Sequence, residues 1–167
     1  MGWLFSEPVR LFEVTGDTAT EMSFSTDDFE YLKELTTQVP PHAALPGVAG
    51  VKLNFPLNRP DRWDEVISFL GASYFRALGR GRANAQSARG LALNAATAVP
   101  EEFPCFSRFY LQRDLSGGSI ITVYSTLEGP SVTGAYRLVI TPGGVTEVDG
   151  TARLFFRQDV TELEVDP

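Results

Sequence analysis

The groups in this chain best suited to chemistry are two adjacent acids, Glu101-Glu102, and four arginines, Arg76, Arg80, Arg82 and Arg89. Hydrolysis of a glycosidic bond by two carboxyls needs them on opposite sides of that bond. The separation is about 5–5.5 Å for retention or about 6.5–9.5 Å for inversion. Neighbouring residues in an extended segment point to opposite faces, so Glu101 and Glu102 would not converge. They fit better as one hydrogen-bonding acid and one ion-paired acid, with Arg76 or Arg89 as the natural partner. The value of such an arginine lies in the bidentate geometry of its planar head rather than in bulk charge. Tyr74, Phe103, Phe106, Phe109 and Tyr110 could stack on a sugar ring, although the phenylalanines are expected to fill the core.

Other chemistries find little support. His42 is the only histidine, and it lies in a proline-bounded loop with no ligand spacing around it, so no metal is expected. A Ser-His-Asp or Cys-His mechanism would require that same residue. The single cysteine, Cys105, allows no internal disulfide and reads as a small hydrophobe. The run Gly79-Arg80-Gly81-Arg82 lacks the lysine-serine/threonine ending of a phosphate loop. No cofactor is implied.

The elements that must position these groups are mostly strands. Residues 8–14 and 19–24 read as two strands around the turn "TGDT", and "GVKLNFPL" alternates through Val51, Leu53 and Phe55. Two short helices are expected. One is in "STDDFEYLKEL", capped by Ser25 or Thr26, with Phe29, Leu32 and Leu35 at helical spacing. The other is in "RPDRWDEVISFLG", with Asp61 as cap and Gly71 as stop. "TTQVPPHAALPGVAG" reads as a loop. From Phe103 onward, "FSRFYLQR", "SIITVYSTL", "AYRLVITP" and "TARLFFRQDV" are rich in β-branched and aromatic residues, separated by "DLSGG", "EGPSVTG" and "GGVTEVDG". Glycine disfavours a helix interior, so residues 72–78 and 87–93 are expected as strands. Ser73, Phe75 and Ala77 would then share one face, and Tyr74 and Arg76 the other.

Totals agree with this reading. The chain has 167 residues, 43% apolar and 11% aromatic, enough for one domain with a core. Fifteen glycines and eleven prolines are spread along it, favouring many short elements joined by turns. The formal charge of −7 argues against nucleic acid as a general partner. No run of about 20 apolar residues suggests membrane insertion, and the opening "MGWLFSEPVRLF" does not read as a secretory signal. The rhythm of strands predicts a mainly β fold, an antiparallel β-sandwich with one or two short helices. It is read as one domain over residues 1–167, or part of a larger one.

"FLGASYFRALGRG", "SARGLAL", "EEFPCFSRFYL" and "TGAYRLVITPG", in this order, resemble the periplasmic glucan biosynthesis proteins G and D. The resemblance runs from "FSEPVRLFEVT" to "FFRQDV". It implies export to the periplasm, a part in making osmoregulated glucans with β-1,2-linked backbones, and a large sandwich of the galactose-mutarotase type. Some family members cleave β-1,2-glucan internally, by inversion, with two aspartates. Those aspartates lie beyond the region resembling "RQDVTELEVDP", so no aspartate here is given a catalytic role. The sequence departs from the family at Asn84-Ala85-Gln86, where tyrosine-glycine-leucine usually precedes "SARG". Carbohydrate-contacting residues are expected at Tyr74, Arg76, Arg89, Glu101 and Glu102, with a β-glucan or oligosaccharide as partner. Arg76 and Arg89 are expected half-buried, and Arg80 and Arg82 exposed. Whether the chain is itself an enzyme stays open. One alternative is an endo-β-1,2-glucanase whose acids lie elsewhere, and another is a structural or interaction module without sugar affinity. Open strand edges would favour a homo-oligomer.

Overall fold

The computed structural model describes residues 8–32, 38–82, 84–95, 97–113 and 118–166. In chain order the first strands are β1 (Arg10–Thr15), β2 (Thr18–Glu21) and β3 (Phe24–Ser25), followed by one 3-10 turn at Thr26–Asp28. Next come β4 (Ala44–Leu45), β5 (Gly50–Phe55), β6 (Asp64–Leu70), β7 (Tyr74–Ala77) and β8 (Gln86–Leu93). The long strands follow: β9 (Cys105–Arg113), β10 (Ile121–Glu128), β11 (Val132–Thr141) and β12 (Glu147–Phe156), and then β13 (Leu163–Asp166). Six strands form one sheet in the order β12-β11-β10-β9-β1-β2, and five form a second in the order β13-β8-β7-β6-β5. Strands β3 and β4 make a small ribbon.

The two large sheets are layers of a β-sandwich because each has an apolar face that must leave water. Strand β11 shows why. Every second residue is buried, with Val132, Gly134, Tyr136, Leu138 and Ile140 turned inward and the residues between them half-buried or exposed. Phe69 of β6 packs on Phe106 and Phe109 of β9, with ring centroids 6.2 Å and 5.0 Å apart. Phe106 meets the Tyr136 ring edge-on at 5.2 Å, the arrangement that aromatic quadrupoles favour. The Tyr136 hydroxyl then crosses the layer to donate to the Gly90 carbonyl at 2.8 Å. Gly90 is required there, because a Cβ at this position would lie 2.9 Å from the Phe106 ring.

Four details of the sequence reading are corrected. The helix read into residues 59–71 is absent, and Asp64–Leu70 is the strand β6 between β5 and β7. Asp64, at the start of that strand, accepts from the backbone N–H of Asn58 at 2.9 Å. Val66, Ile67 and Phe69 are all buried, and a short run of that kind does not distinguish a helix from a central strand by periodicity. The helix expected from Ser25 is reduced to one capped turn. Ser25 accepts from Asp27 and Asp28 returns to the Ser25 backbone, but Phe29 is already extended. The part of that reading from Lys33 to Leu35 lies outside the described residues. Finally, the six-stranded sheet is not wholly antiparallel: β1 lies parallel to β9, with Leu11 opposite Phe109. The reading of "GGVTEVDG" as a separator is also too long, since Glu147 to Gly150 pair with β11.

Burial pushes the Tyr136 phenol up from 10.0 to about 12. A group whose pKa is raised on folding stabilises the fold fully below its unfolded value, and that contribution is lost as pH rises through the folded value. Stability should therefore fall between about pH 10 and 12, by at most about 3 kcal/mol from this group. Tyr136→Phe should remove that step. It should also cost about 1 kcal/mol at neutral pH by leaving the Gly90 carbonyl unpaired. Urea unfolding from pH 7 to 12 checks both; an unchanged alkaline loss in the variant would overturn the assignment.

Candidate functional site

The outer face of the five-stranded sheet gathers the polar chemistry. Register places Lys52, Ser68, Arg76 and Ser87 in one row across β5, β6, β7 and β8. The neighbouring row, Val51, Phe69, Phe75 and Ala88, is turned towards the core, as side-chain alternation requires. Arg76 Nε donates to Glu65 Oε1 at 2.9 Å and to Ser68 Oγ at 3.0 Å. Arg76 also reaches Glu65 Oε2 at 3.3 Å, and the Ser68 hydroxyl donates to Glu65 at 3.0 Å. Partial burial raises the Glu65 pKa, but hydrogen bonds from Arg76 and Ser68 and the charges of Arg76 and Lys52 outweigh it. The carboxyl is held below its ordinary value and stays ionised at neutral pH.

These side chains border a cavity of about 760 Å³. Tyr74, Arg76, Ser87, Glu65 and Lys52 line one part of it, and Asp28 and Phe29 from the capped turn approach from another. Lining that mixes an aromatic ring, charged heads and hydroxyls can hold a polar ligand with flat apolar faces.

Beside this cavity Arg89 joins the aromatics to the acids. It is the cross-strand partner of Tyr74. Its guanidinium lies 4.8 Å from the Tyr74 ring centroid and 5.6 Å from that of Phe103, within cation–π range of both. One terminal nitrogen donates to Glu101 at 3.1 Å and lies 4.0 Å from Glu164. The side chain is 21% exposed, and its Nε is buried with no hydrogen-bond partner among the described residues.

The five expected site residues thus separate. Tyr74, Arg89 and Glu101 form one cluster, and Arg76 stands beside it with a different acid, Glu65. Arg76 is 55% exposed, which corrects the expectation that it is half-buried. Glu102 turns away, as expected of the neighbour of Glu101. It accepts from the backbone N–H of Ser131 at 2.9 Å and from the Ser131 hydroxyl. That clasp fits against Gly129, where an added Cβ would come within 2.7 Å of the carboxylate. Phe106 and Phe109 are buried and belong to the core, whereas Phe103 is exposed beside Arg89. Arg80 and Arg82 are both exposed, and Arg80 also ties two loops together by donating from Nε to the Leu57 carbonyl at 2.9 Å.

His42 is exposed and pairs through Nδ1 with Asp27. Among the described residues no three histidine, cysteine, aspartate or glutamate side chains cluster as metal ligands. No helix among them is long and apolar enough to cross a membrane. The residues missed from sequence were Lys52, Glu65, Ser68 and Ser87. Ser68 sits at the polar position of the "VISFL" alternation and becomes visible once β6 is read as a strand. Glu65 does not, because a register shift between Leu53 and Asn54 re-aims this end of the pairing.

Fold and face together define a β-sandwich with a polar, aromatic-bearing outer surface on its second sheet. Comparison with known proteins supplies the family: the model of the periplasmic glucan biosynthesis protein MdoG matches residues 1–167, and the chain belongs to that family. It is 63% identical over its full length to glucans biosynthesis protein G of Cereibacter sphaeroides, of which it covers 31%. It is 41% identical over 166 residues to the protein of that name from Ralstonia nicotianae and 39% identical to that from Sodalis glossinidius. Those alignments take in 99% of this chain and 32% and 31% of the relatives. The chain therefore spans about a third of the length of the curated relatives it matches.

Arg89→Ala should remove two ring contacts and an ion pair at a half-buried site, costing about 1–3 kcal/mol. Arg82→Ala, at an exposed loop position, should stay within about 0.5 kcal/mol of the parent. Thermal melts compare them directly, and equal melting temperatures would contradict the arrangement.

Proposed function

We propose that this chain contributes carbohydrate-contacting surface to a periplasmic protein of glucan biosynthesis. The observation that carries the reading is the face of β5 to β8, where Tyr74, Arg76, the ionised Glu65 and the hydroxyls of Ser68 and Ser87 border one cavity, with Arg89 beside it on the Tyr74 ring. Sugars offer flat C–H faces that stack on an aromatic ring and hydroxyl rims that take planar, bidentate partners. Tyr74 is the stacking platform. Arg76, with Ser68 and Glu65, supplies paired donors and acceptors. Arg89 and Glu101 fix the ring from behind, and Glu102 anchors the adjoining Gly129–Ser131 loop. Similarity along the whole chain to glucans biosynthesis proteins supports a glucan as the ligand, and family resemblance favours a β-1,2-linked backbone. A site of this kind binds rather than cleaves, because its adjacent acids diverge to separate partners.

Calorimetric titration with linear β-1,2-glucan should give saturable heat. Tyr74→Ala should weaken binding about tenfold, the loss of one ring contact, without unfolding the chain. No heat from folded parent protein would exclude the reading. Incubation with the same glucan should leave its length unchanged; shortened products would move the assignment from binding to hydrolysis.

A further inference from the structure

Strand β12 is the longest open edge of the sandwich. Among the described residues it pairs with β11 alone, and it runs ten residues, against four for β2, six for β5 and four for β13. The Arg157 N–H donates to the Ser131 carbonyl at 2.8 Å, one step beyond the last β11–β12 pair. Odd-numbered residues of β12 therefore spend their backbone groups on β11. Val148, Gly150, Ala152, Leu154 and Phe156 direct theirs to the open side. Five outward-facing residues in a strand without a register break form a template for another strand.

The side chains say which strand fits. Acids occupy the first half of β12, Glu147 and Asp149, and Arg153 occupies the second half. Among the described residues Asp149 and Arg153 share no ion pair with any group, while Arg157 is already engaged with Glu128 at 3.0 Å. Phe155 and Phe156, 61% and 50% exposed, extend the edge as uncovered apolar surface. A strand that is negative at one end and positive at the other is complementary to itself when antiparallel and repels itself when parallel.

We infer that β12 is a self-association edge: two copies of this chain join antiparallel about Thr151, continuing the six-stranded sheet across a two-fold axis. In that register Asp149 faces Arg153 of the second copy twice, Val148 faces Leu154, and Gly150 and Ala152 exchange the free backbone hydrogen bonds. The symmetry is isologous, so one favourable pair counts twice. Neighbouring registers are poorer. One residue further along sets Glu147 against the occupied Arg157, and two further places Arg153 against Arg153.

The test is sedimentation equilibrium of the full chain near physiological salt, from low to high micromolar concentration. The parent should dimerise. Arg153→Asp should weaken the dimer about tenfold, because two attractive pairs become two repulsive ones. The double exchange Asp149→Arg with Arg153→Asp should restore it. Ala152→Pro should abolish it while circular dichroism stays unchanged, since the Ala152 N–H is not used by β11. A parent that remains monomeric throughout, leaving the edge to another segment or partner, overturns the inference. So does a dimer indifferent to both Arg153→Asp and Ala152→Pro.

Discussion

The approach of β8 to the aromatic side chains of β9 controls where nearly everything else in this protein can go. Gly90 has no side chain, so the Phe106 ring lies against its backbone and the Tyr136 hydroxyl reaches its carbonyl. The Phe106 N–H also donates to the Ala72 carbonyl at 3.0 Å, and the Ser73 hydroxyl bridges to Leu91 at 3.0 Å. Backbone, ring and hydroxyl thus lock the turn before β7 and the middle of β8 onto the opposite sheet. Strand alternation does the rest. With Gly90 facing inward, Arg89 must face outward, opposite Tyr74, and the polar row through Arg76 follows from the same register. The site is the reverse side of the core contact.

That coupling explains what could be read from the residues alone. The long strands from Cys105 onward carry dense β-branched and aromatic residues between turn signals, so their existence was legible. The hairpin of β7 and β8 was legible too, because Gly79, Gly81 and Gly90 argue against a helix and alternation then places Tyr74 and Arg76 together. The assignment of 64–70 failed because Val66 and Ile67, adjacent and both fully buried, interrupt the alternation that marks a half-buried strand. Asp61 looked like the cap of a helix, yet the acids that follow it have other partners: Asp64 braces the Asn58 backbone and Glu65 receives Arg76. Partner choice was the least legible property. Arg76 and Arg89 occur in similar strands, but only the fold shows that Glu65 meets one and Glu101 the other. The parallel seating of β1 on β9 is likewise a long-range choice, with no local signal between residues so distant in sequence.

The four arginines of the acidic chain fall into distinct physical classes. Arg89 is held by rings and an acid, where delocalised charge and planar shape both count. Arg76 is solvated but fixed in a bidentate grip on Glu65, which is stronger than an ordinary surface pair because Ser68 closes the triangle. Arg80 works through a backbone carbonyl rather than an acid. Arg82 is exposed. A local excess of cations in a chain of net charge −7 is therefore not a basic patch in the nucleic-acid sense, since Arg76 is paired with Glu65 of the neighbouring strand and Arg89 with Glu101 of the segment before β9.

The divergence of Glu101 and Glu102 bears on how far a family's chemistry can be carried onto this portion of it. An extended backbone sends consecutive side chains to opposite faces, and here the two faces have different occupants: Arg89 on one, the Ser131 backbone and hydroxyl on the other. Neither carboxylate therefore faces the other across a gap that a sugar bond could enter, the opposed placement that two-carboxyl hydrolysis requires. The same bonds set two pieces of structure at once: Glu101 holds the Arg89 head beside the Tyr74 ring, and Glu102 holds the loop that carries Ser131.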